Sequence, residues 1–297
     1  MLTTQEATAG ACLRTMLEAP ELAFLMEAHD GLSARIAEVE GFEAIWASGF
    51  SVSTALGLRD SDEASWSQLL GVVECMSEAA SIPIVVDGDT GYGNFNTARR
   101  FVRKAERLGV AGVCLEDKLF PKMNSYVGNG HRLADAREFA GKIRACREAL
   151  QGQDFCILAR TEALIAGHSV AEALDRAETY REAGADAIFI HSRRRISDEI
   201  VAFAHEWDGR LPVVISPTTY AATSTDIFRA SGIAAVIWAN HSMRAAVAAM
   251  RRLCREIRAS ESAANGGVEL APLGEVFSLM QYDELERDAE RYAGAGP

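Results

Sequence analysis

The chain has 297 residues, with 30 Lys and Arg against 42 Asp and Glu, a formal charge of −12, 48% hydrophobic and 24% charged residues. Such proportions belong to ordinary globular proteins, and the acidic balance excludes charge-driven binding to nucleic acid or to an anionic membrane surface. No apolar stretch approaches the roughly 20 residues that span a bilayer, and the opening MLTTQEATAGACLRTML lacks a basic region followed by a continuous apolar run. The expectation is a cytoplasmic enzyme with a small-molecule substrate, no nucleic-acid partner and no membrane partner. An anionic substrate fits as well, provided that a divalent cation or placed Arg, Lys and His residues offset the charge.

In chain order, short apolar runs alternate with segments of helical periodicity. The runs are AFLMEA (23–28), EAIWASG (43–49), PIVVDGD (83–89), GVCLEDK (112–118), FCILART (155–161), AIFIHS (187–192), PVVISP (212–217) and AAVIWAN (234–240). Helices are expected between them, among others at 65–80, 96–108, 134–150, 170–183 and 197–207. Gly109, Gly184 and Gly232 read as helix stops leading into the next strand. Strands buried on both faces give continuous apolar runs, and eight of them alternating with helices predict one closed (β/α)₈ barrel over residues 1–297. An open doubly wound sheet is the competitor, weakened because no G-x-G-x-x-G follows the first run.

Two regions break the rhythm. Residues 118–133, KLFPKMNSYVGNGHRL, form a long polar connection of the kind that is functional or disordered. From about residue 260 the polar stretch SESAANGGVE leads to a last expected helix at 273–292, which would dock on its own barrel or on a neighbouring subunit. The six cysteines are scattered without C-x-x-C spacing, so they read as reduced and structural.

Barrel enzymes place chemistry at the C-terminal ends of their strands, and polar residues gather there. The second run leads into Ser48, Gly49 and Phe50, with Asp60 in the loop beyond; the third ends in DGDTGYGN (87–94); the fourth in Glu116, Asp117 and Lys118. Asp87 and Asp89 are two apart and can point the same way from one strand end, where Glu116 and Asp60 can converge on them. Such oxygen donors suit Mg²⁺ or Mn²⁺; the competing reading is an acidic loop that caps the next helix. Arg160, closing an apolar strand, requires an anionic partner, either a bound anion or a buried ion pair with Glu162 or Glu116. His191 on the adjacent strand suggests a joint phosphoryl or carboxylate site, against a satisfied core histidine. In the long loop, Lys122 and Asn124 suit developing negative charge, if that loop is more than surface. Asn240-His241 closes the eighth run without an assigned role.

D-x-D-T-G-Y-G-N followed by E-D-K on the next strand resembles the isocitrate lyase and phosphoenolpyruvate mutase superfamily. Within it, WASGFSVSTALGLRDSDEASW, EDKLFPKMNS, ARTEALIAG and IWANH are similar to its phosphoenolpyruvate mutase branch, and the likeness covers about residues 20 to 292. The resemblance implies Asp87 as the direct Mg²⁺ ligand, with Asp60, Asp89 and Glu116 holding the metal's waters. It further implies substrate contacts at Trp46, carboxylate binding by backbone N–H groups around Ser48, Gly49 and Phe50, and phosphoryl binding by Arg160 and His191. Lys122 and Asn124 would arrive on a gating loop, about 118–133. A swapped C-terminal helix within a tail of about 260–297, and a homo-oligomer (dimer, or tetramer built from dimers), are implied too.

The activity implied is Mg²⁺-dependent interconversion of phosphoenolpyruvate and phosphonopyruvate, the entry to phosphonate biosynthesis. Carbon–carbon lyases of the superfamily carry a cysteine in the gating loop, and KLFPKMN has none. Phosphonopyruvate hydrolases resemble the same scaffold with Thr in place of Asn124, and Phe50 is a departure toward them, where mutases carry Leu. A catalytically silent barrel would show an eroded acidic cluster, whereas every position is filled.

Overall fold

Each of the eight apolar runs forms a strand: β1 (Ala23–Ala28), β2 (Ala44–Ala47), β3 (Ile84–Asp87), β4 (Gly112–Glu116), β5 (Cys156–Thr161), β6 (Ala187–Ile190), β7 (Val213–Ile215) and β8 (Ala235–Trp238). In the computed structural model, which describes residues 7–262 and 269–293, they pair in parallel and in sequence order, and β1 closes on β8. The closed (β/α)₈ barrel is therefore the fold.

The helices that connect the strands, the one at Asp198–Trp207 excepted, begin where a polar side chain takes one of the first unpaired N–H groups. They are α2 (Gly31–Val39), α3 (Gly49–Ala55), α4 (Trp66–Ala79), α5 (Phe95–Arg107), α6 (Ala136–Ala149), α7 (Val170–Glu182), α8 (Asp198–Trp207) and α9 (Thr225–Ala230). Ser65 and Gln68 form a reciprocal capping box at α4, Asp135 caps α6 and Ser169 caps α7. Gly109, Gly184 and Gly232 take the left-handed φ expected of helix stops.

One helix was not expected. α1 (Ala9–Glu18), capped by Thr8, lies before the first strand. Its Leu13 and Leu17, four apart and so on one face, are buried in the cluster formed by the inward side chains of the barrel, such as Leu25, Trp46, Val85, Leu158 and Phe189. A second, larger cluster fills the layer between the strands and their helices.

Close packing inside the barrel leaves Gly112 no room for a side chain. A Cβ there would meet the Cys156 carbonyl oxygen of β5 at 2.5 Å, a backbone atom fixed by the β4–β5 ladder. Gly112→Ala should destabilise the fold by about 1–3 kcal/mol, the cost of overpacking, read as a lowered thermal midpoint. An unchanged midpoint would show that the two strands can separate locally.

From Ser242 onward the chain forms a second compact unit. α10 (His241–Ser260) runs into it, and α11 (Leu273–Leu279) and α12 (Tyr282–Tyr292) follow. The sequence pointed to one helix over 273–292; the structure breaks it at Met280–Gln281, where Gln281 takes a left-handed φ of 56°. Among the described residues from 242 on, Met243 alone is buried, while Leu273, Phe277 and Leu285 are 72%, 46% and 64% exposed. Residues 263–268 of the expected linker lie outside the described residues. Among the described residues, no helix is long and apolar enough to cross a membrane.

Candidate active site

Side chains alternate across a strand, and this parity assembles the site. Ala44 and Trp46, Val85, Cys114, Leu158, Phe189, Val214 and Ile237 all belong to the inner cluster. Two residues beyond the last inward member of each of β2 to β8 stand Ser48, Asp87, Glu116, Arg160, His191, Ser216 and Ala239, and all seven line one cavity of about 60 Å³. Trp46, Phe50, Asp60, Lys122, Asn124, Tyr126 and Asn240 complete most of its wall.

The acidic side is crowded. Asp60, Asp87 and Glu116 line the cavity, and Asp89 joins them through Lys122, whose ammonium pairs with Asp60 and, at 2.8 Å, with Asp89. Burial alone would lower the Lys122 pKa, but Asp89 and Asp60 raise it well above its ordinary value. Burial pushes Asp87 and Asp89 up, and their neighbouring carboxylates add to this. Burial also works to raise Asp60, yet Lys122 and Asn124 outweigh it and hold Asp60 below its usual range.

Gly49 lets this cluster form: a Cβ there would sit 3.2 Å from Asp89 Oδ1 and 3.3 Å from Asp87 Oδ2. Its N–H donates to Asp87 Oδ2 at 3.3 Å, and the Ser48 N–H donates to the Ala28 carbonyl at 3.2 Å. Two of the three backbone donors expected for a substrate carboxylate are thus engaged within the protein, leaving the N–H of Phe50 and the proton of the Ser48 hydroxyl, whose oxygen accepts the Ser51 N–H at 3.3 Å.

The residues fit a divalent cation by charge. Among the described residues Asp87 makes no ion pair, and Glu116 Oε1 is buried without a hydrogen-bond donor, its Lys118 partner standing at 3.6 Å. Geometrically, no three His, Cys, Asp or Glu side chains among the described residues are gathered closely enough to hold a metal. The Lys122 ammonium stands between Asp60 and Asp89 instead.

Arg160, which also lines the cavity, has ion-pair and hydrogen-bond partners within the protein. Its Nε binds Glu162 and lies 3.4 Å from Glu116, its Nη2 donates to Ser125 at 3.1 Å, and its guanidinium sits 5.0 Å over the Phe189 ring. The ion-pair reading of Arg160 holds, with Glu162 and Glu116 as its partners, and the residue also lines the cavity. His191 lies beside it, with Tyr126 packed edge-on against the imidazole at 5.4 Å between centroids. Burial and the Arg160 charge lower His191 to about 3, so it is neutral at physiological pH and offers a hydrogen bond rather than a charge.

The long loop is no loose surface strand. Lys118 and Leu133 form an antiparallel bridge at its base, and Lys122 is buried. Asn124 donates to Asp60 at 2.6 Å, and the Lys122 N–H donates to Asp62 at 2.5 Å. Asp62, Tyr126, Ser216 and Thr218 were not singled out from the sequence. Ser216 could have been, since it ends the seventh strand at inward parity; Asp62 and Tyr126 sit in loops where no periodicity marks them. All six cysteines are free, and the buried Cys146 and Cys156 are pushed up to about 12 by burial, which suits inert thiols.

Residues 13–258 match the family described as phosphoenolpyruvate phosphomutase. The chain belongs to the phosphoenolpyruvate phosphomutase family. It is 57% identical over 289 residues to the phosphoenolpyruvate phosphomutase of Streptomyces hygroscopicus, covering 97% of this chain and 92% of that relative. The crystal structure of a phosphoenolpyruvate phosphomutase from Streptomyces platensis subsp. rosaceus superposes with a TM-score of 0.93 at 40% identity, covering 96% and 99% of the two chains. A phosphonopyruvate hydrolase solved with oxalate and Mg²⁺ superposes at 0.90 with 37% identity, covering 97% and 100%. The chain is an enzyme of the phosphomutase family, and the hydrolase is a more distant relation.

Proposed function

We propose that this enzyme interconverts phosphoenolpyruvate and phosphonopyruvate by intramolecular phosphoryl transfer, and that it opens a route to phosphonates. One observation carries the reading: Asp87 on β3, Glu116 on β4, Arg160 on β5 and His191 just past β6 line a single cavity together with Lys122 and Asn124 of the long loop. Mg²⁺ would be held at Asp87, with Asp60, Asp89 and Glu116 around it, and when bound it supplies Lewis-acid stabilisation of enolate charge. A relative solved with Mg²⁺ supports dependence on a divalent cation.

The chain's own residues do the rest. Breaking the P–O bond of phosphoenolpyruvate leaves a pyruvate enolate and a metaphosphate-like group; forming the P–C bond returns every atom to one product. Arg160 has two of its five N–H donors committed to Glu162 and Ser125, so its fork keeps capacity for phosphoryl oxygens. The neutral His191 adds a hydrogen bond without competing charge. Ser48 and the Phe50 N–H face the carboxylate, and Trp46 and Phe189, edge to face at 5.8 Å, floor the site. Lys122, Asn124 and Tyr126 exclude water, which would otherwise capture the phosphoryl group.

The exposed Leu273, Phe277 and Leu285 support a homo-oligomer in which the C-terminal helices pack on a neighbouring subunit, since large apolar side chains are seldom left in water together. On this reading the single catalytic domain includes the tail, and the enzyme works in the cytoplasm.

Phosphorus NMR of the purified enzyme with phosphonopyruvate and Mg²⁺ tests the reaction. Phosphoenolpyruvate is the expected product; inorganic phosphate would make it a hydrolase, a reading that Phe50 in the cavity wall keeps in play. Asn124 bears on the same choice. Its amide donates to Asp60 at 2.6 Å and its oxygen accepts the Tyr126 N–H at 3.0 Å, so it fills the roof and holds it shut. Thr is shorter and leaves room for a water. Asn124→Thr should shift the ratio of phosphate to phosphoenolpyruvate by about tenfold, a difference of about 1.4 kcal/mol between the two transition states, with Mg²⁺ dependence unchanged. A constant ratio would move the discrimination to Phe50.

A further inference from the structure

Next to Asn124, Ser125 is 5% exposed and its hydroxyl is saturated. It accepts from Lys118 Nζ at 2.5 Å and from Arg160 Nη2 at 3.1 Å, and donates to Glu162 Oε2 at 2.8 Å. A hydroxyl has one proton and two lone pairs, and here each meets a charged partner. Those partners come from the end of β4, from β5 and from the turn after β5. Lys118 also donates to the Met123 carbonyl at 3.1 Å, so the same ammonium holds two loop residues.

The neighbouring loop residues reach the other way. Lys122 and Asn124 bind Asp60 and Asp62, in the segment after β2. Residues 122–125 are therefore clasped from both sides of the cavity, and Ser125 makes the clasp on the side of Arg160. We propose that Ser125 is a positioning residue whose hydroxyl couples closure of the 118–133 loop to the orientation of Arg160. The proposal deepens the phosphoryl-transfer reading and rests on it.

The chemistry follows from what remains when the hydroxyl is removed. Arg160 keeps its Nε bond to Glu162 and its 3.4 Å approach to Glu116, so its charge stays in place. Its Nη2 loses a fixed partner, and the fork can turn about the Nε anchor. The loop meanwhile loses its tie to Glu162, and Lys118 has one loop partner instead of two. Misorientation of the fork weakens transition-state contacts more than substrate binding, and a looser roof admits water.

The test compares Ser125→Ala and Ser125→Thr with wild type in the full-length enzyme. Trypsin cleavage after Lys118, Lys122 and Arg132 reads loop closure without any turnover; phosphonopyruvate turnover gives kcat, KM and the phosphate to phosphoenolpyruvate ratio. In Ser125→Ala, loop cleavage should rise by about fivefold or more and kcat fall by about tenfold, the scale of a lost charge-assisted bond, with KM changing far less. The phosphate share should rise, and Ser125→Thr, which keeps a hydroxyl, should restore protection and most of kcat.

Wild-type cleavage rates and product ratio in Ser125→Ala would overturn the proposal, as would a fall in kcat with both of those unchanged. Failure of Ser125→Thr to rescue, at a wild-type thermal midpoint, would overturn it as well. If that midpoint drops, the Ala variant alone decides. If wild type turns over neither phosphonate nor enol phosphate, the reaction assignment falls, and the cleavage arm still decides whether Ser125 closes the loop.

Discussion

Asp87→Ala enzyme should lose about 10³-fold or more in turnover, the several kcal/mol that a Lewis acid contributes, and chelation of wild type should do the same. Asp87 is buried on the inward face of β3; among the described residues it accepts only the Gly49 and Asp89 backbone N–H groups, at 3.3 and 3.4 Å, and makes no ion pair. Its fold contribution is correspondingly small, so the variant should remain folded. A second readout separates metal binding from chemistry: Mg²⁺ should raise the thermal midpoint of wild type through linkage and leave that of Asp87→Ala unmoved. Full activity of the variant in chelated buffer would end the metal assignment. An equal Mg²⁺-dependent rise in both proteins would place the cation elsewhere in the cluster.

The barrel was legible because its strands are buried on both faces. PIVVDGD and FCILART read as continuous apolar runs, and β3 and β5 begin and end within two residues of them. The strand-end residues of the site were legible for the same reason. Once Cys114 and Leu158 are inward, parity carries Glu116 and Arg160 to the end of the barrel where the cavity lies. Less legible were contacts made across long sequence separations.

Asp60 and Lys122 are 62 positions apart, and nothing local distinguishes a loop lysine in water from one locked between two buried carboxylates. Ser125 is a similar case, since its neighbours in sequence do not reveal the three charges it binds. α1 was missed because its ten residues bury only Gly10, Leu13 and Leu17, too few for a clear period. The break at Met280–Gln281 carries neither Gly nor Pro, the residues that ordinarily announce one.

Arg160→Lys should cost about 2 kcal/mol or more in transition-state stabilisation, roughly a 30-fold loss in kcat/KM, even though it preserves the charge. The guanidinium does several things at once here that an ammonium cannot. It binds Glu162 through Nε, approaches Glu116 at 3.4 Å, takes the Ser125 hydroxyl through Nη2 and lies 5.0 Å over Phe189. A planar fork satisfies these directions and still presents donors to the cavity, whereas a lysine ammonium is a single point on a flexible stem. Because Glu162 and Glu116 outcompete a weakly directed substrate contact, the ammonium should settle on the carboxylates and withdraw from the phosphoryl oxygens. The loss should therefore fall mainly on kcat, with the fold retained, since the ion pair survives in shorter form. Arg160→Met would differ: it removes one of the two cations, Arg160 and Lys118, that now hold Glu162 well below the usual carboxylate range against the opposing effect of burial, and it should lower the thermal midpoint as well. Near-wild-type kcat/KM for Arg160→Lys, together with a lowered midpoint for Arg160→Met, would make Arg160 a structural residue and leave phosphoryl binding to His191 and Asn124.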